Sequence, residues 1–282
     1  MTVYWGDVAS STITDGNTGT TTHEYASAGT YAIQISNPSV ITVFDVRDSK
    51  LVINSANLHL RASGLTHLWI QGIHVTSVIN SADFAGSTPS SYLLFSLPAG
   101  VTGVINSADF AGSTPSSYLY FFLPAGVTGV INSADFAGST PSSYLYFTLP
   151  AGVTGAINSA DFAGSTPSTY LRFILPVGVT MTVARADFAT MTTAPAVRIE
   201  ANLLAAQVDA ILLGLHDAFA SKSAPGGTID LLGGGNAAPN GTVEAPGDCD
   251  VGTWTGGNAA HELANDTCDV SANHWTSVTV QA

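Results

Sequence analysis

Between Val78 and Met181 one 26-residue sentence is written four times. The copies read VINSADFAGSTPSSYLLFSLPAGVTG (78–103), VINSADFAGSTPSSYLYFFLPAGVTG (104–129), VINSADFAGSTPSSYLYFTLPAGVTG (130–155) and AINSADFAGSTPSTYLRFILPVGVTM (156–181). Asp83, Asp109, Asp135 and Asp161 mark the step. A unit this short cannot bury its own apolar face, so successive copies must stack on one another, and a fixed period in the twenties predicts a solenoid.

The first three copies differ at only two places, Leu94/Ser96, Tyr120/Phe122 and Tyr146/Thr148, where the fourth has Arg172/Ile174. Both places alternate with the repeated residues of YLxFxL. Neighbouring side chains of a strand point to opposite faces, so Leu119, Phe121 and Leu123 share one face while Tyr120 and Phe122 share the other. The repeated face is therefore expected to be core and the varied face to look outward. Stacking the copies aligns the varied residues in a parallel ladder.

The bulk composition narrows what such a ladder can meet. Seven Lys+Arg against twenty Asp+Glu give a net charge of −13, which repels phosphate backbones and anionic lipid, so nucleic-acid binding is not expected. No apolar run reaches the roughly 18 residues of a membrane span, so no membrane insertion is expected either. The opening MTVYWGDVAS lacks a basic region followed by an apolar stretch, which predicts no Sec signal peptide. With charged residues at 10% of the chain, the surface must be largely hydroxyls and amides, suited to weak polar contacts with sugars. Cys249 and Cys268 either staple the C-terminal loops in an oxidising medium or remain free thiols.

The chain divides into four segments. Residues 1–38 lack the repeat, and HEYASAGTYAIQIS (23–36) reads as strand–turn–strand. The WGD…HxY…AGTYxIxI pattern of this segment resembles the second half of a PKD-type β-sandwich, which implies a β cap on the solenoid. Residues 39–202 form the solenoid proper, with worn repeats at both ends. Leu68, Ile70, Ile73, Val75, Ser77 and Ile79 follow the spacing of the LxLxxNxLxGxI line, and Val197, Ile199, Asn202 and Leu204 return to it. The solenoid thus resembles the leucine-rich repeat family, although the LPAGVTG loop carries one residue more than that line. The resemblance implies a short parallel strand per repeat on a concave side. It also implies an apolar pair, here Val127 with Ile131, closing the arc beneath, and a ladder asparagine at Asn202.

Residues 203–241 are expected to close the solenoid with a helix and a strand. Leu204, Val208, Ile211, Leu212 and Leu215 fall on one helical face, and Ile229 and Leu231 point inward with Asp230 outward. The sequence NLLAAQVDAIL…GGTIDLLGGGNAAPNG resembles the closing unit of leucine-rich repeat proteins encoded by bacteriophages and environmental bacteria. Residues 242–282 form a turn-rich extension with one late alternating run, Trp275 to Val280. The fold class expected is a mainly β solenoid, leucine-rich-repeat-like, with a β N-cap and a helix-plus-strand C-cap.

The sequence offers little catalytic chemistry. Four identical stacked aspartates suit a structural task, and each is expected to cap the short helix that follows it by accepting backbone N–H bonds. Asn80, Asn106, Asn132 and Asn158 are expected to satisfy loop backbone in the same way. His67 and His74 lack HxH or HExxH spacing, and neither a GxSxG nor a P-loop occurs. Enzymatic function is therefore not expected, no cofactor is implied, and no metal site is assigned. The acidic loops at 244–250 and 262–269 offer hard oxygens to calcium without EF-hand spacing.

The varied ladder remains as the candidate ligand-binding face. Strand by strand it presents Asp45 and Arg47, Trp69 and Gln71, Leu94 and Ser96, Tyr120 and Phe122, Tyr146 and Thr148, Arg172 and Ile174, and Arg198 and Glu200. Exposed aromatics in a row stack on sugar rings or anchor a protein contact. The reading that follows is a non-enzymatic recognition protein on a phage virion surface, a fibre tip or capsid decoration. It would hold a cell-surface glycan or protein on the ladder, beside other virion proteins. The alternatives are a self-assembling subunit of a fibre or shell, hence a homo-oligomer, and an extracellular bacterial adhesin.

Overall fold

Each copy of the repeat folds into two short strands separated by a 3₁₀ turn, because its two β-branched and aromatic runs are divided by SADF and by proline- and glycine-bearing loops. The computed structural model describes residues 1–14, 23–27, 29, 31, 33–36, 41–47, 65–71, 78–189, 196–218, 227–240 and 277–280. A small antiparallel sheet stands first, with β1 (Thr2–Tyr4) between β2 (Ser10–Thr12) and β3 (Gln34–Ile35). Then come β4 (Val43–Arg47) and β5 (His67–Gln71). The repeats supply β6 (Val78–Asn80) and β7 (Tyr92–Ser96), β8 (Thr102–Val104) and β9 (Tyr118–Phe122), and β10 (Val127–Asn132) and β11 (Tyr144–Thr148). They continue with β12 (Val153–Asn158) and β13 (Tyr170–Ile174), then β14 (Val179–Thr182) and β15 (Ala196–Glu200). Helices α1 (Arg185–Phe188) and α2 (Ala205–Asp217), with strands β16 (Thr228–Asp230) and β17 (Ser277–Thr279), complete the described chain.

These strands sort into two parallel sheets. The larger has nine strands in the order β4-β5-β7-β9-β11-β13-β15-β16-β17, and the smaller has five, β6-β8-β10-β12-β14. In the larger sheet the repeats pair in register, Leu119 opposite Leu145 and Phe121 opposite Phe147, so identical side chains lie one above another. Stacked pairs of parallel strands stepping once per repeat are the arrangement compatible with a β-solenoid. The Val127 to Ile131 segment, expected only as an apolar pair beneath the arc, is a full second strand. Its run VTGVIN carries β-branched residues that continue the pleat.

Between the sheets lies one continuous core. Leu119, Phe121, Leu123, Val127, Ile131 and Phe136 are all buried, as are their equivalents in the neighbouring copies. The inward phenylalanines form a column, Phe95 on Phe121 on Phe147 on Phe173, with centroids 5.7, 5.4 and 5.7 Å apart and planes within 10°. Such offset stacking adds to area burial. Because each phenylalanine in the column stacks on its counterparts in the neighbouring copies, a repeat is stable only as a member of the stack.

Polar ties run through the same stack. The side chain of Asn80, Asn132 or Asn158 accepts the N–H of Ala82, Ala134 or Ala160 and so caps its own 3₁₀ turn. Asn106 differs, accepting instead from Val130 N–H in the following copy. The aspartates do not cap, contrary to expectation. Asp109, Asp135, Asp161 and Asp187 accept hydrogen bonds from Ser81, Ser107, Ser133 and Ser159 of the preceding copy, at 2.5–2.6 Å. Asn132 and Asn158 hold the caps ahead of Asp135 and Asp161. Asp109 and Asp187 reach across the step as well, where Asn106 and Ala184 make no side-chain cap bond, so it is the buried serine hydroxyl of the preceding copy that draws the carboxylate. The side chain of Asp83 lies outside the described residues.

At the N-terminus Asp7 and His23 pair at 2.7 Å, Trp5 stacks on His23, and the Tyr25 hydroxyl donates to Trp5 O at 2.8 Å. Burial pushes the Asp7 carboxyl upward, but the bonds from His23 and the Ala9 N–H outweigh it and hold it below its ordinary value. Of the strand–turn–strand expected over 23–36, the described residues of that segment form β3. Tyr25 and Tyr31 instead stack face to face at 3.9 Å, with the Tyr31 hydroxyl donating to Ser27 O.

The C-terminal end departs from the sequence reading in two places. Leu204 is 71% exposed; its N–H is accepted by Gln207 Oε1, so it stands just before α2, and Leu203 is the residue that enters the core. Asn202 is not the ladder asparagine. It takes a left-handed backbone, φ 52°, and its side chain is exposed, while the buried Asn236 makes the cross-coil bonds. Asn236 Oδ1 accepts from the N–H groups of Ala201 and Leu203, and its Nδ2 donates to Ile199 O and Leu231 O. All four hydrogen-bonding positions of the carboxamide are thereby used.

Among the described residues no helix is long and apolar enough to cross a membrane, and no group of three or more His, Cys, Asp or Glu side chains is placed to hold a metal ion. Cys249, Cys268, His74, the two acidic loops and the Arg47 side chain lie outside the described residues.

Candidate functional site: the aromatic face of the large sheet

Parallel pairing in register turns each strand position into a column, and the outer face of the large sheet carries three. The central column is the varied ladder, Trp69, Leu94, Tyr120, Tyr146, Arg172 and Arg198. A second varied column holds Gln71, Ser96, Phe122, Thr148, Ile174 and Glu200. The third was missed by sequence reasoning because it hardly varies. His67, Tyr92, Tyr118, Tyr144 and Tyr170 occupy the first position of each strand and share its outward parity. The signal was available, since a residue two places before a varied position must face the same way.

The tyrosine column is a stack. Centroids lie 4.4 Å apart from His67 to Tyr92, 4.6 Å to Tyr118 and 4.7 Å to Tyr144, with planes within about 22° of parallel. This is the strand spacing of a sheet, about 4.8 Å, so the backbone itself sets the ring separation. Trp69 leans against Tyr92 and Tyr118 at 6.1 and 6.2 Å, joining the two columns. Burial, with its phenol neighbours Tyr144 and Tyr92 adding to it, pushes the Tyr118 hydroxyl up from its ordinary range.

The central column has the outward parity expected, but not the exposure. Leu94 is 5% exposed and Tyr146 is 6% exposed, because each is sandwiched between large neighbours in the adjoining strands. Leu94 sits between Trp69 and Tyr120 in register. Tyr146 stacks on Tyr120 at 4.2 Å and is covered on its other side by the Arg172 guanidinium, 5.1 Å from the ring centre. Burial, followed by the interaction with Tyr146, raises the Tyr120 hydroxyl far above its ordinary value, with Arg172 opposing. What a partner meets first is therefore the edges of Trp69, Tyr120, Tyr118 and Tyr92, together with Phe122, which is 38% exposed, and Tyr170, at 41%.

Toward the C-terminal end the face becomes charged. Arg198 Nε donates to Glu200 Oε1 at 2.6 Å and lies 3.6 Å from Asp230. Arg172 has no carboxylate partner among the described residues, and its Nε is buried without an acceptor. At the other end Trp69 Nε1 donates to Gln71 Oε1 at 2.9 Å, and Asp45 is exposed. The face thus combines a rigid aromatic centre with polar ends. A scan against protein-family models, a search of curated proteins and a search of solved structures each returned no match for this chain.

Proposed function

We propose that the chain is a leucine-rich-repeat-like solenoid that recognises a host-surface glycan or protein through the aromatic face of its large sheet. The observation that carries this reading is the three parallel columns. A rigid row of rings at fixed spacing, with partly exposed edges and little side-chain entropy left to lose, is well suited to stacking on successive sugar rings or anchoring a protein contact. The setting proposed is a phage virion, as a fibre tip or capsid decoration, which rests on the resemblance of the closing unit alone. A bacterial adhesin would use the same face.

The test is binding of the purified protein to a panel of bacterial cells and surface glycans, wild type against Tyr120→Ala/Phe122→Ser/Tyr146→Ala. The expected result is that wild type binds some targets and the triple variant, still folded by circular dichroism, binds none. Unchanged binding by the folded triple variant overturns the reading.

A second reading, a subunit that assembles with its own kind, is favoured by a separate feature. Val78, Val104 and Val130 on the small sheet are 60%, 38% and 50% exposed, three apolar residues staggered across neighbouring strands, with Val104 in register with Asn80 and Thr128. Concentration-dependent assembly that Val104→Thr/Val130→Thr abolishes would support that reading.

A further inference from the structure

The tyrosine column stops at Tyr170 in β13, three strands before the C-terminal edge of the sheet. In register with Tyr170 the next strand carries Ala196 and the one after it Thr228. The stack has already loosened there, with Tyr144 and Tyr170 centroids 5.7 Å apart and tilted by 35°. Small residues in place of rings leave a cleft of ≈ 200 Å³ lined by Tyr170, Arg172, Ala196, Arg198, Thr228 and Asp230. That is below the roughly 300–1,000 Å³ of pockets for drug-sized ligands and suits a single ring.

The groups around the cleft define its chemistry. Tyr170, the most exposed ring of its column at 41%, has no ring beyond it to cover its C-terminal side. Arg172 is a half-buried cation with no carboxylate partner among the described residues, a charge that an incoming carboxylate would compensate. Arg198 is already committed to Glu200, so Arg172 is the guanidinium left to recognise a carboxylate. Asp230 accepts from the Leu232 N–H through one oxygen; its other oxygen lies 3.6 Å from Arg198 Nε, and the residue lines the cleft with acceptor capacity left over. A flat, purely anionic ligand would be repelled there, whereas hydroxyls would donate to it.

We propose that this cleft binds the carboxylate-bearing ring of an acidic saccharide, the carboxylate on Arg172, the ring against Tyr170 and its hydroxyls toward Asp230. The assignment rests on the recognition reading above and narrows its ligand class to uronate-type sugars at this end of the face.

The test is a titration followed by ligand-observed NMR, with glucuronate, glucose and benzoate as probes. The proteins are wild type, Arg172→Gln and Ala196→Tyr. Ala196→Tyr continues the tyrosine column into the cleft while leaving Arg172 in place, so it separates loss of the cavity from loss of the charge. Glucuronate is expected to bind wild type, weakening as salt rises. Glucose and benzoate are expected to bind at least about tenfold less well, and Arg172→Gln and Ala196→Tyr to lose about tenfold or more. The proposal is overturned if glucuronate fails to bind wild type, if glucose or benzoate binds equally, or if both cleft variants keep their affinity. These outcomes are independent of the cell-binding test: glucuronate can fail here while the Tyr120/Phe122/Tyr146 variant still abolishes target binding, and the reverse.

Discussion

Ser107 Oγ donates to Asp135 Oδ2 at 2.5 Å while accepting the Asn132 N–H at 2.7 Å, so one buried hydroxyl ties its own repeat to the next. The same tie recurs from Ser81 to Asp109, Ser133 to Asp161 and Ser159 to Asp187. Removing the carboxylate leaves a buried hydroxyl without its charged acceptor. Asp135→Ala is expected to cost about 1–3 kcal/mol, and Asp135→Asn, which keeps an acceptor oxygen, less. Denaturant unfolding of both variants checks the order; equal stability of Asp135→Ala and wild type would remove the ladder from the account of what holds the copies together.

Glycines in the repeat differ in what they tolerate. Gly129 has φ 136°, and a Cβ built there would lie 2.0 Å from Ile105 O, at the other end of the same copy. Gly138 also has positive φ, 85°, but a Cβ there meets nothing within 4 Å. Gly138→Ala should therefore cost only the left-handed backbone, about 1–2 kcal/mol. Gly129→Ala must also displace backbone of the small sheet and should cost clearly more, at least about 3 kcal/mol. Thermal melts of the pair decide it.

Tyr120 should be late to ionise. Burial, then the Tyr146 interaction, raises its folded-state value above the ordinary 10.0, so the neutral phenol is the form the fold prefers. Its contribution to stability is fully present below pH 10 and is lost as pH rises from there through the folded value. An absorbance titration near 295 nm should show one fewer late-titrating phenol in Tyr120→Phe. That variant should also lose less stability than wild type between pH 10 and 11.

Asp217 works in the opposite direction. Its hydrogen bonds from Arg185, 2.6 Å to each oxygen, hold the carboxyl below the ordinary 3.8. The stabilisation is present above pH 3.8 and disappears as pH falls through the folded value. The pair is partly exposed, so Asp217→Asn should cost about 1 kcal/mol or less at neutral pH. The difference from wild type should vanish in acid, as urea unfolding at pH 7 and pH 3 would show.

What the sequence determined by itself follows from periodicity. A 26-residue repeat with YLxFxL in every copy fixes which residues are inward, and Leu119, Phe121, Val127, Ile131 and Phe136 are all in the core. The α2 helix, with Val208, Ile211, Leu212 and Leu215 buried, was legible for the same reason, since spacing alone selects a face.

Tertiary structure decided everything that depends on the neighbouring copy. Parity placed Tyr146 outward, yet it is buried, because rings at the strand spacing cover one another. Sequence reasoning passed over Tyr118, and in-register stacking shows that the unvarying tyrosines form a column of their own. The aspartates bond across the repeat step instead of capping locally, because a buried serine of the preceding copy offers each of them a hydroxyl. Asn236 replaces Asn202 as the buried carboxamide, because only the folded turn brings it beside the free backbone of the preceding coil. The physical reason is common to all four. A single repeat encodes which way each side chain points, whereas what covers it is supplied from about 26 residues away.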